Sequence, residues 1–190
     1  EKDPTADIEG FDACRKVCIL ASLAFGKHVY PNQVEAEGIT NITLEDVSYI
    51  SSVGGVIKLL GQIKYINDDK IAAFVSPAVV FHGSQLASVN GVFNAILVRG
   101  DAVGDVCFYG QGAGKLATAS AVVADMVDSA VHVERRINFG WSAGNEDYVV
   151  DEKATIEMPF YVRAKSSESK VKALLNDVKF LTRVGQPSDE

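Results

Sequence analysis

Asp12 and Lys16 stand four residues apart near the start of the chain, in EKDPTADIEGFDACRK. On a helix this spacing brings both side chains to one face, with the acid N-terminal to the base, the better of the two orders. On open surface such a pair is worth about 0.3–0.5 kcal/mol and needs no function. Two features put a chemical reading beside that one. The lysine is set among Cys14, Val17 and Cys18, and Glu1, Asp3, Asp7 and Glu9 crowd the corner ahead of the same helix. The positive end of a helix dipole accounts for one or two acids there. The surplus describes a polar pocket suited to a cationic group, such as the ammonium of an amino acid, beside a lysine that passes a proton.

A second candidate is GQGAG at 110–114, ahead of a helical pattern. Glycines before a helix N-terminus let backbone N–H groups approach a phosphate or a ligand ring. No G-x-G-x-x-G stands here, and Val106 to Tyr109 reads as the end of a hairpin, so the residues alone favour a plain glycine-rich turn. Cys14 and Cys18 share a helix face as small buried hydrophobes. With Cys107 they make an odd number, which is no disulfide framework and suits a reducing, cytoplasm-like compartment. His28, His82 and His132 lack ligand spacing, and no metal site is expected.

The elements that must carry these groups follow from periodicity. Residues 10–25 predict a helix with an apolar face at Phe11, Cys14, Val17, Cys18, Ala21 and Phe25, stopped by Gly26. TLEDVSYISSVG predicts a second, with a capping box at Thr43 and Asp46 and a close at Gly54. VIKLLGQIKYI and IAAFVSPAVVF, joined by Asn67-Asp68-Asp69, predict a hairpin with a loop longer than two residues, in which Pro77 pushes the second strand toward an edge or a bend. VFNAILVRG and VCFYG predict another strand pair, turning at Gly100-Asp101. The expected class is α+β: a two-layer sandwich with a mainly antiparallel sheet covered by helices. Residues 137–155 have linker character, and 156–190 read strand, polar turn, helix, strand.

The chain has 190 residues and a net charge of −7, enough for one sizeable domain with a small appendage, and a poor match for nucleic acid or an anionic membrane. No apolar run reaches the ~18 residues of a membrane span. The first residue already belongs to the acid-rich pattern and is not methionine, so the chain reads as a piece of something longer, cut at its N-terminal edge.

Together the motifs resemble homoserine dehydrogenases. D-P-T-A-D-I-E-G-F-D-A-x-x-K followed by ILASLAFG is similar to that family's signature segment. EGI at 37–39, VIKLLGQIK, LASVNGVFNAI and GDAVGDVCFYGQGAGKLATASAVVADMVD follow in the family's order and spacing, over residues 1 to about 130. The resemblance implies a catalytic, substrate-binding and dimerising domain over 1–136, whose N-terminal Rossmann domain lies outside this chain. It also implies an ACT-like β-α-β piece in 156–190, with Lys165-Ser-Ser-Glu-Ser-Lys170 where the family's glycine-containing turn would stand.

By the same resemblance, Lys16 is the general acid/base and Asp12 positions it or assists at the substrate oxygen. Glu1 and Asp7 line the substrate pocket, with Glu1 on the substrate ammonium. Gly112, Gly114 and Thr118 lie near the nicotinamide. The implied reaction interconverts L-aspartate 4-semialdehyde and L-homoserine with NADP or NAD, most of whose site belongs to the Rossmann domain. A cytoplasmic homodimer serving threonine, methionine and isoleucine synthesis is expected, and this segment alone is expected to be inactive. Two other readings stand beside it: a non-catalytic dimerisation and amino-acid-sensing module, and an aldehyde dehydrogenase of the thioester type. The latter needs a nucleophilic cysteine, and Cys14, Cys18 and Cys107 have no partner histidine nearby in sequence.

Overall fold

A computed structural model of the chain describes residues 3–134, 140–150 and 157–181. It is a mixed α/β structure of two compact units, one formed by Glu1–Val79 with Gly140–Glu190, the other by Val80–Phe139.

The first unit opens with a single helical turn, α1 (Thr5–Ile8), and the helix α2 (Phe11–Phe25). Gly10 and Gly26 bound α2 in the left-handed conformation (φ 79° and 71°), which glycine adopts without a Cβ penalty. The expected apolar stripe is buried at Cys14, Val17, Cys18 and Ala21. Phe11, expected on that face, is instead 49% exposed at the first turn of the helix. Ser22 is buried without an apolar reason: its hydroxyl donates to the Cys18 carbonyl and accepts from Val29 N–H, tying the helix to the segment that leaves it.

The helix α3 (Leu44–Ser52) has the capping box that its sequence predicts. Thr43 Oγ1 accepts from Asp46 N–H at 3.3 Å, and the Asp46 carboxylate accepts from Thr43 N–H at 2.8 Å. Gly54, left-handed at φ 78°, follows it.

The sheet is built on a hairpin of β2 (Gly55–Asn67) and β3 (Lys70–Phe81), adjacent strands joined by Asp68-Asp69 alone, a shorter loop than expected because Asn67 belongs to β2. A link that short forces them antiparallel. The other edge of β3 takes two short strands, β1 (Glu35–Ala36) and β6 (Val149–Val150), both parallel to it. The expected antiparallel sheet therefore has parallel pairing on one edge, supplied by segments far from β3 in sequence. Pro77 lies within β3 and does not end it. Ile71 N–H and Val75 C=O bond to Tyr148 and Glu37 on this edge. By strand alternation the imino nitrogen of Pro77 points the same way, past the last of those bonds, where no N–H is needed.

Ile71, Ala73 and Val75, alternate residues of β3, join the buried face of α2 in one core with Val29, Val34 and Tyr148. Tyr148 is 2% exposed and comes from the stretch with linker character. Over 140–150 that stretch packs onto the first unit: Ser142 exchanges backbone hydrogen bonds with Gly26 and His28, and Gln33 Nε2 donates to the Asn145 carbonyl at 2.8 Å. Further on, the helix α5 (Glu168–Leu174) matches the expected helix. No strand is assigned on either side of it within the described residues 157–181.

The second unit is an antiparallel hairpin of β4 (Phe93–Gly100) and β5 (Gly104–Gln111), paired from Phe93↔Gln111 to Gly100↔Gly104, followed by the helix α4 (Lys115–Val131). Among the described residues, no helix is long and apolar enough to cross a membrane, and no three His, Cys, Asp or Glu side chains gather to hold a metal.

Candidate active site

Lys16 and Asp12 meet as their spacing predicts. Lys16 Nζ lies 2.6 Å from Asp12 Oδ2, and the two side chains are 60% and 42% exposed. They project from the side of α2 opposite its buried stripe. What fixes the helix beneath them is Gly61 of β2, against whose Cα the Val17 side chain rests so tightly that a Cβ there would overlap Val17 Cγ2. A glycine inside a strand pattern marks such a close approach, and this was the one sequence signal for it.

The corner ahead of α2 is built with equal economy of space. Gly38 lies against the Ile8 carbonyl and Glu9 Cα, too close for any side chain, and Ile39 N–H donates to the Ile8 carbonyl at 2.9 Å. EGI at 37–39 therefore acts as the wall on which the α1–α2 turn rests. Of the acids in that turn, Asp3 works locally: Oδ1 accepts from Thr5 Oγ1 at 2.6 Å and from Thr5 N–H at 3.1 Å. The Thr5 hydroxyl first, and its N–H second, hold the Asp3 carboxyl below its ordinary value. Asp7 is exposed on α1, with its backbone capping the turn and its side chain at the surface. Glu1 lies outside the described residues.

Gly112, Gly114 and Thr118 fall together in the second unit. Gly112 and Ala113 N–H both donate to the Val92 carbonyl, at 3.1 and 3.3 Å. The Asn94 side chain occupies the space that a Cβ on Gly112 would need. Gly114 has φ 108° and open space where a side chain would be, and its carbonyl accepts from Thr118 N–H in the first turn of α4. A bare backbone entering a helix N-terminus can admit a flat ring or a phosphate.

The cysteines give no nucleophile in the first unit. Cys14 and Cys18 are buried. Burial first, and the neighbouring Cys14 second, push the Cys18 thiol up to about 12. Such a thiol stays protonated and inert.

This geometry sits in a segment that known proteins share. The family model for homoserine dehydrogenase matches residues 1–127. The chain belongs to the homoserine dehydrogenase family. It is 47% identical over 134 residues to the homoserine dehydrogenase of Mycobacterium tuberculosis, covering 68% of this chain and 30% of that protein. To that of Bacillus subtilis it is 44% identical over 127 residues, covering 67% and 29%. Among solved structures, S. aureus homoserine dehydrogenase at pH 7.5 superposes with a TM-score of 0.64 at 46% identity, over 72% of this chain and 34% of that one. A hyperthermophilic archaeal homoserine dehydrogenase in complex with NADPH superposes at 0.51 with 27% identity, over 69% and 36%. The chain thus spans about 30% of the length of the curated relatives it matches. Asp12, Lys16, Gly112, Gly114 and Thr118 all fall inside the family match.

Proposed function

We propose that this chain supplies the catalytic segment of a homoserine dehydrogenase, an oxidoreductase that interconverts L-aspartate 4-semialdehyde and L-homoserine with NADP or NAD. The observation that carries the reading is the Asp12–Lys16 pair, 2.6 Å apart on the open face of α2 within the family match.

When bound, the nicotinamide supplies the hydride that reduces the aldehyde carbon. Lys16 then gives a proton to the carbonyl oxygen as negative charge grows there, and takes it back in the reverse direction. Asp12, 2.6 Å from Lys16 Nζ, aims the lysine side chain. Asp7 and Glu1 line the substrate pocket, with Glu1 on the ammonium of the substrate. Gly112 and Gly114, with Thr118 one turn into α4, would hold the nicotinamide when it is bound, a fit supported by the open space at Gly114. The archaeal relative with NADPH supports a nicotinamide cofactor.

The same proposal includes a cytoplasmic homodimer and a place in threonine, methionine and isoleucine synthesis. It divides the chain into a catalytic and dimerising domain (1–136) in which helices cover a mainly antiparallel sheet in two layers, a connecting stretch (137–155) and an ACT-like C-terminal piece (156–190). Supporting the dimer, α4 has no buried residue and exposes Leu116, Met126 and Val131. Supporting the C-terminal reading is the helix α5.

The test is Lys16→Ala in the full-length enzyme. The expected result is a loss of about 10²–10⁴ in kcat with an unchanged melting temperature. A variant that kept normal kcat would overturn the assignment.

A further inference from the structure

Asp46 is 3% exposed, the one carboxylate among the buried residues described, and it sits at the N-terminus of α3, far along the chain from the C-terminal segment. A carboxylate in that position needs partners for both oxygens, since an incompletely paired buried charge is strongly destabilising. The capping box satisfies only Oδ2, through Thr43 N–H and Oγ1–H. The rest comes from residues 115 and 117 positions later: Tyr161 O–H donates to Oδ1 at 2.9 Å, and Arg163 Nη1 donates to Oδ2 at 2.6 Å and also to Thr43 Oγ1. Residues 157–164 have no helix or strand of their own, and Phe160 and Val162, the neighbours of these two anchors, are 70% and 63% exposed. The hydrogen bonds of Tyr161 and Arg163 thus converge on one side chain and its cap, while the Tyr161 ring is partly buried.

We propose that Asp46 is a latch that couples the C-terminal arm to the catalytic unit. Docking the arm completes the hydrogen-bonding shell of the same carboxylate that starts α3, so the arm and the first turn of α3 hold or release together. Undocking would leave Asp46 buried with Thr43 alone, and the cheapest relief is to open that first turn and admit water. The helix α3 packs on β2, and so does α2, which bears Asp12 and Lys16. A change in the C-terminal region therefore has a mechanical route toward α2 through one strand. The latch itself does not rest on the dehydrogenase reading.

Hydrogen exchange on the 190-residue chain tests the latch. Tyr161→Phe with Arg163→Met removes both anchoring bonds while keeping side-chain bulk on a partly exposed arm. The expected result is exchange at the Asp46 and Val47 amides faster by about ten-fold or more, with the amides of the β4–β5 hairpin unchanged. Unchanged exchange at Asp46 and Val47 would show that the arm merely rests on a self-sufficient cap, and would overturn the proposal. The reciprocal variant, Asp46→Asn, is expected to speed proteolysis within 157–166 while Tyr161 and Arg163 are intact. A cleavage rate equal to that of the parent chain would overturn it equally. Both readouts are local, so they remain decisive if Lys16→Ala refutes the dehydrogenase assignment.

Discussion

Val17 of α2 rests directly on the backbone of Gly61 in β2, and this contact sets the height of the helix that carries Lys16 over the sheet. Helix and strand approach here to a distance only a missing Cβ permits. Because Lys16 directly precedes Val17, the position of the Lys16 side chain depends on a glycine in the facing strand.

Gly61→Ala is expected to destabilise the chain by about 1–3 kcal/mol, since the β-branched Val17 has little rotamer freedom with which to yield. Val17→Ala added to Gly61→Ala should recover part of that loss. Urea denaturation of the two single variants and the double variant checks the pair. Equal stability of Gly61→Ala and the parent chain would contradict the contact.

Tyr148 tests whether 140–150 belongs to the first unit. The ring is buried in the α2 and β3 core, with Lys27 Nζ 4.8 Å from its centroid, and its backbone carbonyl accepts from Ile71 N–H. Tyr148→Ala should cost about 3 kcal/mol or more by removing a large core side chain. A loose linker would give almost no change in the denaturation midpoint.

The latch predicts a pH dependence at both ends of the scale. Burial first, then the Asp46 hydrogen bond and charge, push Tyr161 up to about 12, with Arg163 opposing and Tyr49 adding slightly. A hydroxyl that is harder to ionise when folded contributes stability that is fully present below its ordinary value of 10 and is lost as pH rises toward 12. For Asp46 burial acts to raise the pKa, and the bonds from Thr43, Tyr161 and Arg163 outweigh it, leaving the carboxyl below 3.8. Its contribution is therefore present above about 4 and lost as pH falls through the lowered folded value. Stability profiles of the parent chain and Tyr161→Phe should converge between pH 10 and 12. Those of the parent and Asp46→Asn should converge below pH 4. Parallel profiles at both ends would contradict the bonding described for this pair.

Gly112 makes a prediction for the full-length enzyme. A Cβ at this position collides with Asn94, whose exposed side chain can swing away, so stability should change by less than about 1 kcal/mol. The GQGAG backbone would shift with it, and KM for the nicotinamide cofactor should rise between about ten- and a hundred-fold. Adding Asn94→Ala should bring KM back toward the parent value. No recovery in the double variant would mean that the glycine acts otherwise than by making room for Asn94.

Local patterns in the sequence determined a great deal. The stripe from Cys14 to Ala21, the box at Thr43 and Asp46, the hairpin turning near Asp68-Asp69 and the meeting of Asp12 with Lys16 depend on residues a few positions apart. Helix and hairpin periodicity fixes such relationships before any tertiary contact forms. The motifs in 1–130 were likewise legible as a family resemblance. What only the tertiary structure decided are the pairings that cross the chain. They are the parallel edge strands on β3, Tyr148 in the core, Gly38 as a point of close approach, and the partners of Asp46 more than a hundred residues away. No local pattern marks these, because burial and hydrogen-bond satisfaction are settled by which surfaces meet, and a tyrosine or an arginine in a polar stretch reads the same whether it meets water or a buried carboxylate.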